Sequence, residues 1–410
     1  MKILAIETSC DETAISVVSG KGGLKKPVFK VLAHFVSSQT AIHAPYGGVV
    51  PNLAKREHQR NLVPLLVEAL EKAKLKSKGS TLKTQNSKVE PWIRKVEKIL
   101  EREHELREVF LTEIPKIKAP KIDALAVTQG PGLEPALWVG INFAKALGAM
   151  WNLPIIPINH MEGHVVSSLV KLKGKNQKAK LKVKSENLKF PALALLISGG
   201  HTEIVLMKDW GKYKVIGQTR DDAVGEAFDK VARILGLPYP GGPALSKLAS
   251  RWQGLSLTHP KESPCQLPRP MLNSPDFDFS FSGLKTAVLY LTQKLSSQEP
   301  LPESLKAAIA HEFQEAVIEV LATKTFRAVE KFKPHTLLIG GGVIANTALR
   351  QHFEEKIKNH PEVTLLIPDQ PLTTDNATMI GAAAYLRHAG VPKAKVGRAS
   401  FSAQGNLMLK

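Results

Sequence analysis

The sequence predicts an α/β protein made of two similar lobes with a cleft between them. A strand, a polar turn and a second strand occur in this order at Lys2–Val18 and again at Ala192–Met207, nearly half a chain apart. In both places apolar runs flank a turn of small and polar residues, which is the pattern of a β-hairpin. An internal repeat of this kind indicates a duplicated architecture, so we expect one hairpin in each lobe.

The rest of the chain supplies the other elements of two such lobes. In chain order we predict a strand at Ile122–Thr128, a helix at about Pro135–Met150, a helix at Asp221–Leu235, one or two helices at Glu303–Phe332, a strand at Thr336–Ile339 and a helix at Ala377–Leu386. The 410 residues suffice for two domains with separate cores. We expect an N-terminal lobe at 1–170 with a lysine-rich insertion at about 72–118, a lysine-rich linker or loop at 171–190 and a C-terminal lobe at 191–410, whose final helix can pack on the N-terminal lobe.

The chain is strongly basic. Lys and Arg number 56 against 37 Asp and Glu, which gives a formal net charge of +19. Lysine is concentrated in two runs, 72–88 and 171–189, which we predict to be exposed because they are poor in apolar residues. These runs are either solvated loops or contacts to phosphates, since a phosphate contact needs only charge and reach. The excess of positive charge favours an anionic macromolecule as partner.

Other classes of protein fit the composition poorly. The two cysteines, Cys10 and Cys265, lie far apart and form no CxxC pair, which argues against a disulfide framework and against a cysteine zinc knuckle. No apolar run approaches the length of a membrane span, and no leader pattern precedes the first strand. We therefore expect a cytoplasmic protein that has no membrane partner.

A candidate metal site is the sequence His-Met-Glu-Gly-His at His160–His164. Two histidines four residues apart share one face of a helix, so their imidazoles can converge on one ion; the alternative is a pair of packed or capping histidines. Glu162 lies one position too late for the zinc-protease pattern H-E-x-x-H. The best third ligand is Asp375, although an aspartate before a helix can also be an N-cap. Two histidines and one carboxylate suit iron(II), and zinc(II) also fits.

Glycine-rich turns form a second constellation. Ser198–Gly200 and Gly340–Gly342 each follow a predicted strand. Glycine lets the backbone approach a phosphate or a ribose closely, and successive N–H groups can hold anionic oxygens. Neither turn is a Walker or G-x-G-x-x-G motif, and each alone is also compatible with a plain tight turn. Two hairpins that each pair with a later strand ending in glycine resemble the nucleotide fold of actin, sugar kinases and Hsp70.

The order of motifs identifies a specific resemblance. The motifs are Glu7–Thr13, Tyr46–Pro51, Gly130–Leu133, His160–His164, Ser198–Thr202, Gly225–Lys230, Tyr239–Pro243, Phe279–Lys285 and Gly340–Asn346. Together they resemble the TsaD family of tRNA N6-adenosine threonylcarbamoyltransferases, also called the Gcp or glycoprotease-like family. Ser282–Lys285 is similar to the bacterial branch. The resemblance covers nearly the whole chain apart from the two lysine-rich runs.

The resemblance implies a fold and a reaction. The fold is the duplicated actin-like (ASKHA, ribonuclease H-like) α/β fold with a central cleft. The reaction transfers a threonylcarbamoyl group from its adenylate to N6 of the adenosine 3′ to the anticodon, in tRNAs that read A-starting codons, and releases AMP. The partners implied are tRNA, threonylcarbamoyl-adenylate, a TsaB-like actin-fold paralogue and a TsaE-like small ATPase.

The resemblance also implies site residues. The metal ligands are His160, His164 and Asp375, and the metal is usually given as iron. The adenylate site comprises Leu196, Ile197, Ser198, Gly199, Gly200, Asp229, Gly242 and Asn346. We expect Asp229 and Asn346 to serve nucleotide binding and not folding. Asp11 and Glu12, on the first hairpin, are candidates for handling protons or orienting the substrate. Several relatives have an acid where this chain has Ser246, so a ribose contact at that position is not expected.

Two other functions remain alternatives. A metal-dependent glycoprotease would use the histidine pair, but the position of Glu162 argues against it. An actin-fold ATPase or sugar-kinase-like phosphotransferase would share the fold, because a fold does not fix a function. Such a kinase needs neither the histidine pair nor Asp375, which favours the transferase.

Overall fold

A computed structural model describes residues 1–77, 91–170, 188–252, 265–295, 301–389 and 401–409. The chain forms two compact units. The first comprises Met1–Ala41, Val49–Glu186 and Pro368–Lys410, and the second comprises Ile42–Gly48 and Asn187–Ile367. The C-terminal segment, which the predicted boundary groups with 191–410, therefore has its contacts in the first unit.

The first unit contains a five-stranded mixed sheet. Its strands are β1 (Lys2–Glu7), β2 (Glu12–Lys21), β3 (Val28–Ser38), β4 (Ala124–Gly130) and β5 (Ile155–Asn159). They lie in the order β3-β2-β1-β4-β5, with β1, β4 and β5 parallel to one another and β2 antiparallel to both of its neighbours. Carboxyl ends of parallel strands share one edge of a sheet, so the residues that end β1, β4 and β5 are brought together there.

Helices cover both faces of this sheet. They include α2 (Pro51–Lys72), α3 (Pro91–Ile99), α4 (His104–Glu113), α5 (Glu134–Trp151), α6 (His160–Ser167) and, from the end of the chain, α12 (Ala377–Ala389). The short helix α1 (Thr40–His43) follows β3 and is divided between the two units. Leu4 and Ile6 of β1 belong to the core that α2 and α5 cover. Successive side chains of a strand point to opposite faces, and Ala5 accordingly lies against α12. Burial on both faces explains why β1 is a continuous apolar run.

The last helix approaches the sheet closely because its residues are small. A Cβ atom on Gly381 of α12 would lie 2.8 Å from a methyl carbon of Val18 and 3.3 Å from the Cβ of Ala5. Contacts this tight leave no room for a side chain. The small residues of Ala377–Leu386 thus hold α12 against β1 and β2, and this packing places Asp375, two residues before the helix, in the first unit.

Part of the predicted lysine-rich insertion belongs to the core. Residues 78–90 lie outside the described residues, but α3 and α4 follow them. Val96, Leu100, Leu106 and Phe110 are fully buried, and the Phe110 ring meets Phe143 of α5 edge to face, with centroids 6.0 Å apart. The part of the predicted insertion at 91–116 therefore contributes side chains to the core of the first unit. These helices are amphipathic, and their lysines and arginines occupy the outer face.

The second unit repeats the sheet of the first. Its strands are β6 (Ala192–Ile197), β7 (Thr202–Asp209), β8 (Lys212–Gln218), β9 (Thr336–Gly340) and β10 (Thr364–Leu366). Their order is β8-β7-β6-β9-β10, with β6, β9 and β10 parallel and β7 antiparallel to its neighbours. Order and direction match the first sheet strand for strand, which confirms the predicted duplicated α/β fold.

Helices also surround the second sheet. They are α7 (Val224–Ile234), α8 (Gly241–Ala249), α9 (Ser282–Leu295), α10 (Glu303–Phe332) and α11 (Thr347–Lys356). The segment that could have been one or two helices is a single helix, α10. Its Phe313 is fully buried and packs edge to face on Phe228 of α7, with centroids 5.1 Å apart.

The second lysine-rich run lies almost entirely outside the described residues, which omit 171–187. The prediction that this run contacts phosphates therefore stays a prediction. Among the helices of the described ranges, none combines the length and the apolar character that a membrane span requires.

Candidate functional site

The two histidines predicted as ligands lie at the start of α6. The helix begins at the carboxyl end of β5, where the Asn159 side chain accepts hydrogen bonds from the N–H groups of Met161 (2.8 Å) and Glu162 (3.4 Å). An asparagine at this position satisfies N–H groups that have no partner within the helix. The cap makes His160 the first helical residue and brings His164 onto the same face, with ring centroids 4.6 Å apart.

The third predicted ligand meets both imidazoles. One carboxylate oxygen of Asp375, Oδ1, lies 3.3 Å from Nε2 of His160 and 3.2 Å from Nε2 of His164. The alternative that Asp375 caps α12 is wrong: Asn376 is the cap, because its Oδ1 accepts the N–H of Met379 at 3.1 Å. A neighbouring asparagine thus performs the capping and leaves the aspartate available to the histidines.

The residues present fit a divalent metal ion. The ligand atoms of His160, His164 and Asp375 lie within 4.8 Å of one another. Both ring nitrogens of His164 are buried, and neither makes a hydrogen bond of good geometry to the described residues, although Nε2 lies 3.2 Å from Asp375. A buried polar atom without a partner costs about 1–3 kcal/mol, and a metal at Nε2 would satisfy one of the two nitrogens. Two imidazoles and one carboxylate match the ligand preference of iron(II) and zinc(II).

The electrostatics of the triad also suit a cation. Burial lowers the pKa of His164 and so favours its neutral, ligating form. Burial opposes ionisation of Asp375, but the imidazoles of His160 and His164 outweigh it and hold the pKa of the carboxyl well below its usual range. For His160, burial is likewise outweighed by Asp375 and Glu7, whose carboxylates hold the pKa of its imidazole well above the usual value. A bound metal would replace the proton that His160 otherwise carries.

A residue that the sequence analysis did not assign to the site contacts His160 on the side of the ring opposite Asp375. Glu7 ends β1 and is fully buried. Its Oε2 lies 3.1 Å from Nδ1 of His160 and accepts the hydroxyl of Thr128 at 2.6 Å, and its Oε1 accepts the N–H of Ser9 at 2.6 Å. The sequence signals were that Glu7 is a charged residue at the end of an apolar strand and that it begins the motif Glu7–Thr13.

The two candidates for proton handling lie in the turn between β1 and β2 and at the start of β2. Asp11 is buried, and its backbone carbonyl accepts the N–H of Gln39 at 2.9 Å. Burial raises the pKa of the Glu12 carboxyl well above its usual value, and the carboxylates of Asp375 and Asp11 raise it further. The place of Asp11 and Glu12 at the site stays a prediction.

In the second unit, the predicted adenylate residues begin at the turn between β6 and β7. Leu196 and Ile197 are fully buried core residues, so they shape the turn and present no surface. Ser198 closes the turn: its N–H donates to the carbonyl of His201 at 2.8 Å. Gly199 and Gly200 are exposed, and a Cβ atom on either would meet nothing within 4 Å. Their backbone is open to a ligand.

Two further glycines allow close approach to this turn. A Cβ on Gly225, in the first turn of α7, would lie 2.7 Å from the carbonyl oxygen of Ser198 and 2.9 Å from the Cα of Gly199. Gly341 has a φ of +98°, and its Cβ would lie 2.3 Å from the carbonyl oxygen of Ile197. Both positions require glycine: Gly225 because there is no space for a side chain, and Gly341 because of both the lack of space and its positive φ. They bring α7 and the loop after β9 against the same turn.

Asp229 has a structural role that the sequence did not reveal. One of its oxygens, Oδ1, accepts the N–H groups of Gly241 at 2.8 Å and Gly242 at 3.2 Å. These are the first two residues of α8, so Asp229 satisfies N–H groups at the start of that helix. Asp229 therefore contributes to folding, and the expectation that it does not is wrong. Its role in nucleotide binding stays a prediction.

Asn346 is also held by internal hydrogen bonds. Its Oδ1 accepts the N–H of Leu349 at 3.1 Å and caps α11, while its Nδ2 donates to Ser246 at 2.9 Å and to Gln314 at 2.8 Å. These contacts join α8, α10 and α11. Ser246 is thus a partner of Asn346, and the expectation that Asn346 has no part in folding is wrong as well.

Comparison with known proteins decides the family. The family model "TsaD: tRNA N6-adenosine threonylcarbamoyltransferase" matches residues 30–81 and 105–382. This chain belongs to the TsaD family. The match includes both histidines and Asp375, and it agrees with the duplicated actin-like fold seen in the two sheets.

Individual relatives agree with the TsaD assignment. A tRNA N6-adenosine threonylcarbamoyltransferase of Bacillus subtilis is 39% identical over 386 residues, which are 93% of this chain and 89% of that protein. One from Thermomicrobium roseum is 41% identical, over 95% of this chain and 93% of the relative. A solved structure of full-length HypF in its phosphate- and nucleotide-bound form aligns with a TM-score of 0.49 and 12% identity, over 96% of this chain and 47% of HypF.

The geometry around the histidines does not favour the alternative of a metal-dependent glycoprotease. Glu162 is buried, and its carboxylate lies 3.8 Å from the guanidinium of Arg387 on α12. It is also absent from the group of metal-ligating side chains. A metalloprotease base must reach a water on the metal, and this carboxylate is instead paired with a cation.

The close approach of α7 to the glycine turn gives a testable prediction. We expect Gly225→Ala to destabilise the second unit by about 1–3 kcal/mol, because the new methyl group would contact backbone atoms that cannot move aside. Gly283→Ala is the matched control: it is also the second residue of a helix, but its Cβ would meet nothing within 4 Å. Denaturant unfolding measures both. Equal stabilities of the two variants would contradict the close approach.

Proposed function

We propose that this chain transfers a threonylcarbamoyl group from threonylcarbamoyl-adenylate to N6 of the adenosine 3′ to the anticodon in tRNAs that read A-starting codons. The amine at N6 attacks the carbamoyl carbon, the bond from that carbon to the phosphate oxygen breaks, AMP leaves and N6 loses one proton. The observation that carries the proposal is the meeting of His160, His164 and Asp375 in a chain whose TsaD relatives have this activity in their name.

The metal triad supports the first part of the proposal. We propose that His160, His164 and Asp375 hold one divalent ion, iron(II) in preference to zinc(II). When bound, such an ion supplies a Lewis acid and a template for substrate oxygens. The chain itself contributes a buried surrounding, since His164 is fully buried and His160 nearly so.

The glycine turn of the second unit supports adenylate binding. The exposed backbone of Gly199 and Gly200 can lie against a nucleotide, because neither residue has a side chain to exclude it. We propose that Asp229 accepts hydroxyl groups of the ribose while it holds the start of α8, and that Gly242 allows the ligand to approach that helix. In this proposal Asn346 acts indirectly, because its hydrogen bonds hold α8, α10 and α11 together.

Asp11 and Glu12 are the proposed acceptors of the proton that N6 loses. A base works best when its pKa lies near the working pH, and burial shifts the pKa of Glu12 in that direction. The turn that carries these residues is held in place by Asp11 itself, whose carbonyl accepts the N–H of Gln39. Asp11 also adds negative charge beside Glu12, which strengthens its basicity.

The partners follow from the substrate and the charge. We propose tRNA as the partner that the net charge of +19 attracts, with a TsaB-like paralogue and a TsaE-like small ATPase as protein partners and the cytoplasm as the place of reaction. Lysine is a flexible point charge, so it suits contacts to the phosphate backbone more than reading of bases.

Replacement of the eight lysines of 171–189 by glutamine tests the charge. We expect weaker tRNA binding and a shallower dependence of log affinity on log salt, because fewer counterions are released, while turnover at saturating tRNA stays near that of the wild type. The control variant neutralises Lys208, Lys212 and Lys214, which are basic residues of β7 and β8. An unchanged salt slope in the first variant would show that the run is only a solvated loop.

The proposed reaction is tested by supplying threonylcarbamoyl-adenylate labelled in its threonine, together with tRNA and the partner proteins. We expect label to become attached to tRNA and AMP to appear in equal amount, only when tRNA is present. Release of ADP from ATP without labelled tRNA would favour the ATPase or kinase alternative. Cleavage of a glycosylated protein substrate under the same conditions would favour the protease alternative.

A further inference from the structure

We propose that Glu7 is a positioning residue that fixes the tautomer and the ring orientation of His160, so that the lone pair on Nε2 is directed at the metal. This inference rests on the metal triad of the proposed function. The contact that carries it joins Oε2 of Glu7 and Nδ1 of His160, 3.1 Å apart, with both side chains buried. On the opposite side of the ring, Nε2 lies 3.3 Å from Asp375.

The tautomer follows from what each group can do. A neutral imidazole has one N–H donor and one acceptor nitrogen, and an ionised carboxylate can only accept. Beside Glu7, Nδ1 must therefore carry the proton, which leaves Nε2 free to bind a metal. A carboxylate behind a ligating histidine also makes the imidazole a stronger ligand and keeps its plane fixed.

The carboxylate of Glu7 is well placed because three parallel strands bring its partners together. Glu7 ends β1, Thr128 lies near the end of β4 and His160 follows β5, and these are neighbouring strands of the first sheet. The hydroxyl of Thr128 and the N–H of Ser9 both donate to Glu7 at 2.6 Å, one to each oxygen. Both oxygens are therefore fixed before any metal binds.

Neither neighbouring group can replace Glu7 in this role. The hydroxyl of Ser9 lies 3.2 Å from Nδ1 of His160 and 3.5 Å from Oδ2 of Asp375, but a hydroxyl can donate or accept and so does not select a tautomer. His164 has no counterpart to Glu7, because its Nδ1 lacks a hydrogen-bond partner among the described residues. The directed orientation of the pair thus depends on Glu7.

The variant Glu7→Gln tests the inference with almost no change in shape. Its amide oxygen must stay beside the N–H of Ser9, so its NH2 group faces Nδ1 of His160. That group is a donor, and it would force the proton of the imidazole onto Nε2, where the metal binds. We expect the affinity for zinc(II), and for cobalt(II), to fall about 10- to 100-fold in competition with a chelator.

Glu103→Gln is the matched control. Glu103 is another buried glutamate of the first unit, and its Oε2 accepts a hydrogen bond from Asn142 at 3.2 Å, which glutamine can retain. We expect this control to bind zinc(II) as the wild type does. A second variant, Thr128→Val, keeps the charge of Glu7 but removes one of its fixed points, and we expect a smaller loss of affinity, up to about tenfold. A melting curve of each metal-free variant shows whether it folds.

The outcomes separate this inference from the proposed metal site. If the wild type binds zinc(II) and Glu7→Gln binds it within roughly twofold of the wild type, the role of Glu7 is wrong while the triad stands. If Glu7→Gln does not fold, Thr128→Val decides, and wild-type affinity in that variant overturns the inference. If the wild type itself binds neither zinc(II) nor cobalt(II), the proposed triad fails and the role of Glu7 with it.

Discussion

The double variant His160→Ala, His164→Ala is expected to lose its stoichiometric metal. Two of the three ligands disappear, and Asp375 alone cannot hold a divalent ion against water, so the affinity should fall by more than about 100-fold. Elemental analysis after dialysis measures the metal content, and transfer of the threonylcarbamoyl group to tRNA should be lost with it. The double variant should still fold, because the N-cap of α6 is Asn159 and is not altered.

His104→Ala provides the control for the loss of a histidine. His104 begins α4 and is exposed, so its replacement should leave both metal content and transfer unchanged. If the double variant kept one metal per chain, the metal site would have to lie outside this triad. The comparison requires that the two proteins be purified and dialysed in the same way.

Asp229→Ala is expected to have two separate effects. Loss of the acceptor for the N–H groups of Gly241 and Gly242 should destabilise the second unit by about 1–3 kcal/mol, because these groups begin a helix and are left without a partner. Loss of the ribose contact should weaken binding of AMP at least about tenfold, or about 1.4 kcal/mol. Calorimetry measures the affinity, and thermal unfolding measures the stability.

Asp229→Asn separates the two effects. Its amide oxygen can still accept from Gly241 and Gly242, so we expect most of the stability to return. The charge and the second acceptor oxygen are lost, so AMP binding should stay weak. Wild-type affinity for AMP in both variants would remove Asp229 from the adenylate site and leave it a purely structural residue.

The sequence predicted the repeated parts of the fold because they depend on local patterns. The two hairpins and α10 follow from runs of apolar residues and from polar turns, which are local signals. The burial of apolar residues in 91–116 was harder to recognise, because lysines and arginines lie between them. Val96 and Leu100 are four residues apart, and so are Leu106 and Phe110, but the surrounding charge dominates the composition.

The metal ligands were predictable to different degrees. His160 and His164 share a helix face, so their spacing alone indicated that they could converge. Glu7 could not be found in this way, because its partners Thr128 and His160 lie 121 and 153 residues away and meet it only through strand order. Asp375 and Asn376 are adjacent acceptors at a helix start, and only the structure shows which one turns toward the helix.

For Asp229, the sequence suggested a ligand contact but did not reveal the structural role. The motif that contains it resembles a ligand-binding motif, and the resemblance says nothing about contacts within the protein. Its partners Gly241 and Gly242 follow 12 and 13 residues later, across the end of α7 and the turn before α8. No periodic pattern spans such a connection, so the capping role was not visible in the sequence.

Mass spectrometry of tRNA nucleosides tests the central claim most directly. Unmodified tRNA is incubated with the metal-loaded protein, threonylcarbamoyl-adenylate and the partner proteins, and is then digested to nucleosides. We expect N6-threonylcarbamoyladenosine at the position 3′ to the anticodon with the wild type, and none with the variant that lacks His160 and His164. Unmodified adenosine at that position with the wild-type protein, under conditions in which a TsaD relative modifies the same tRNA, would contradict the account.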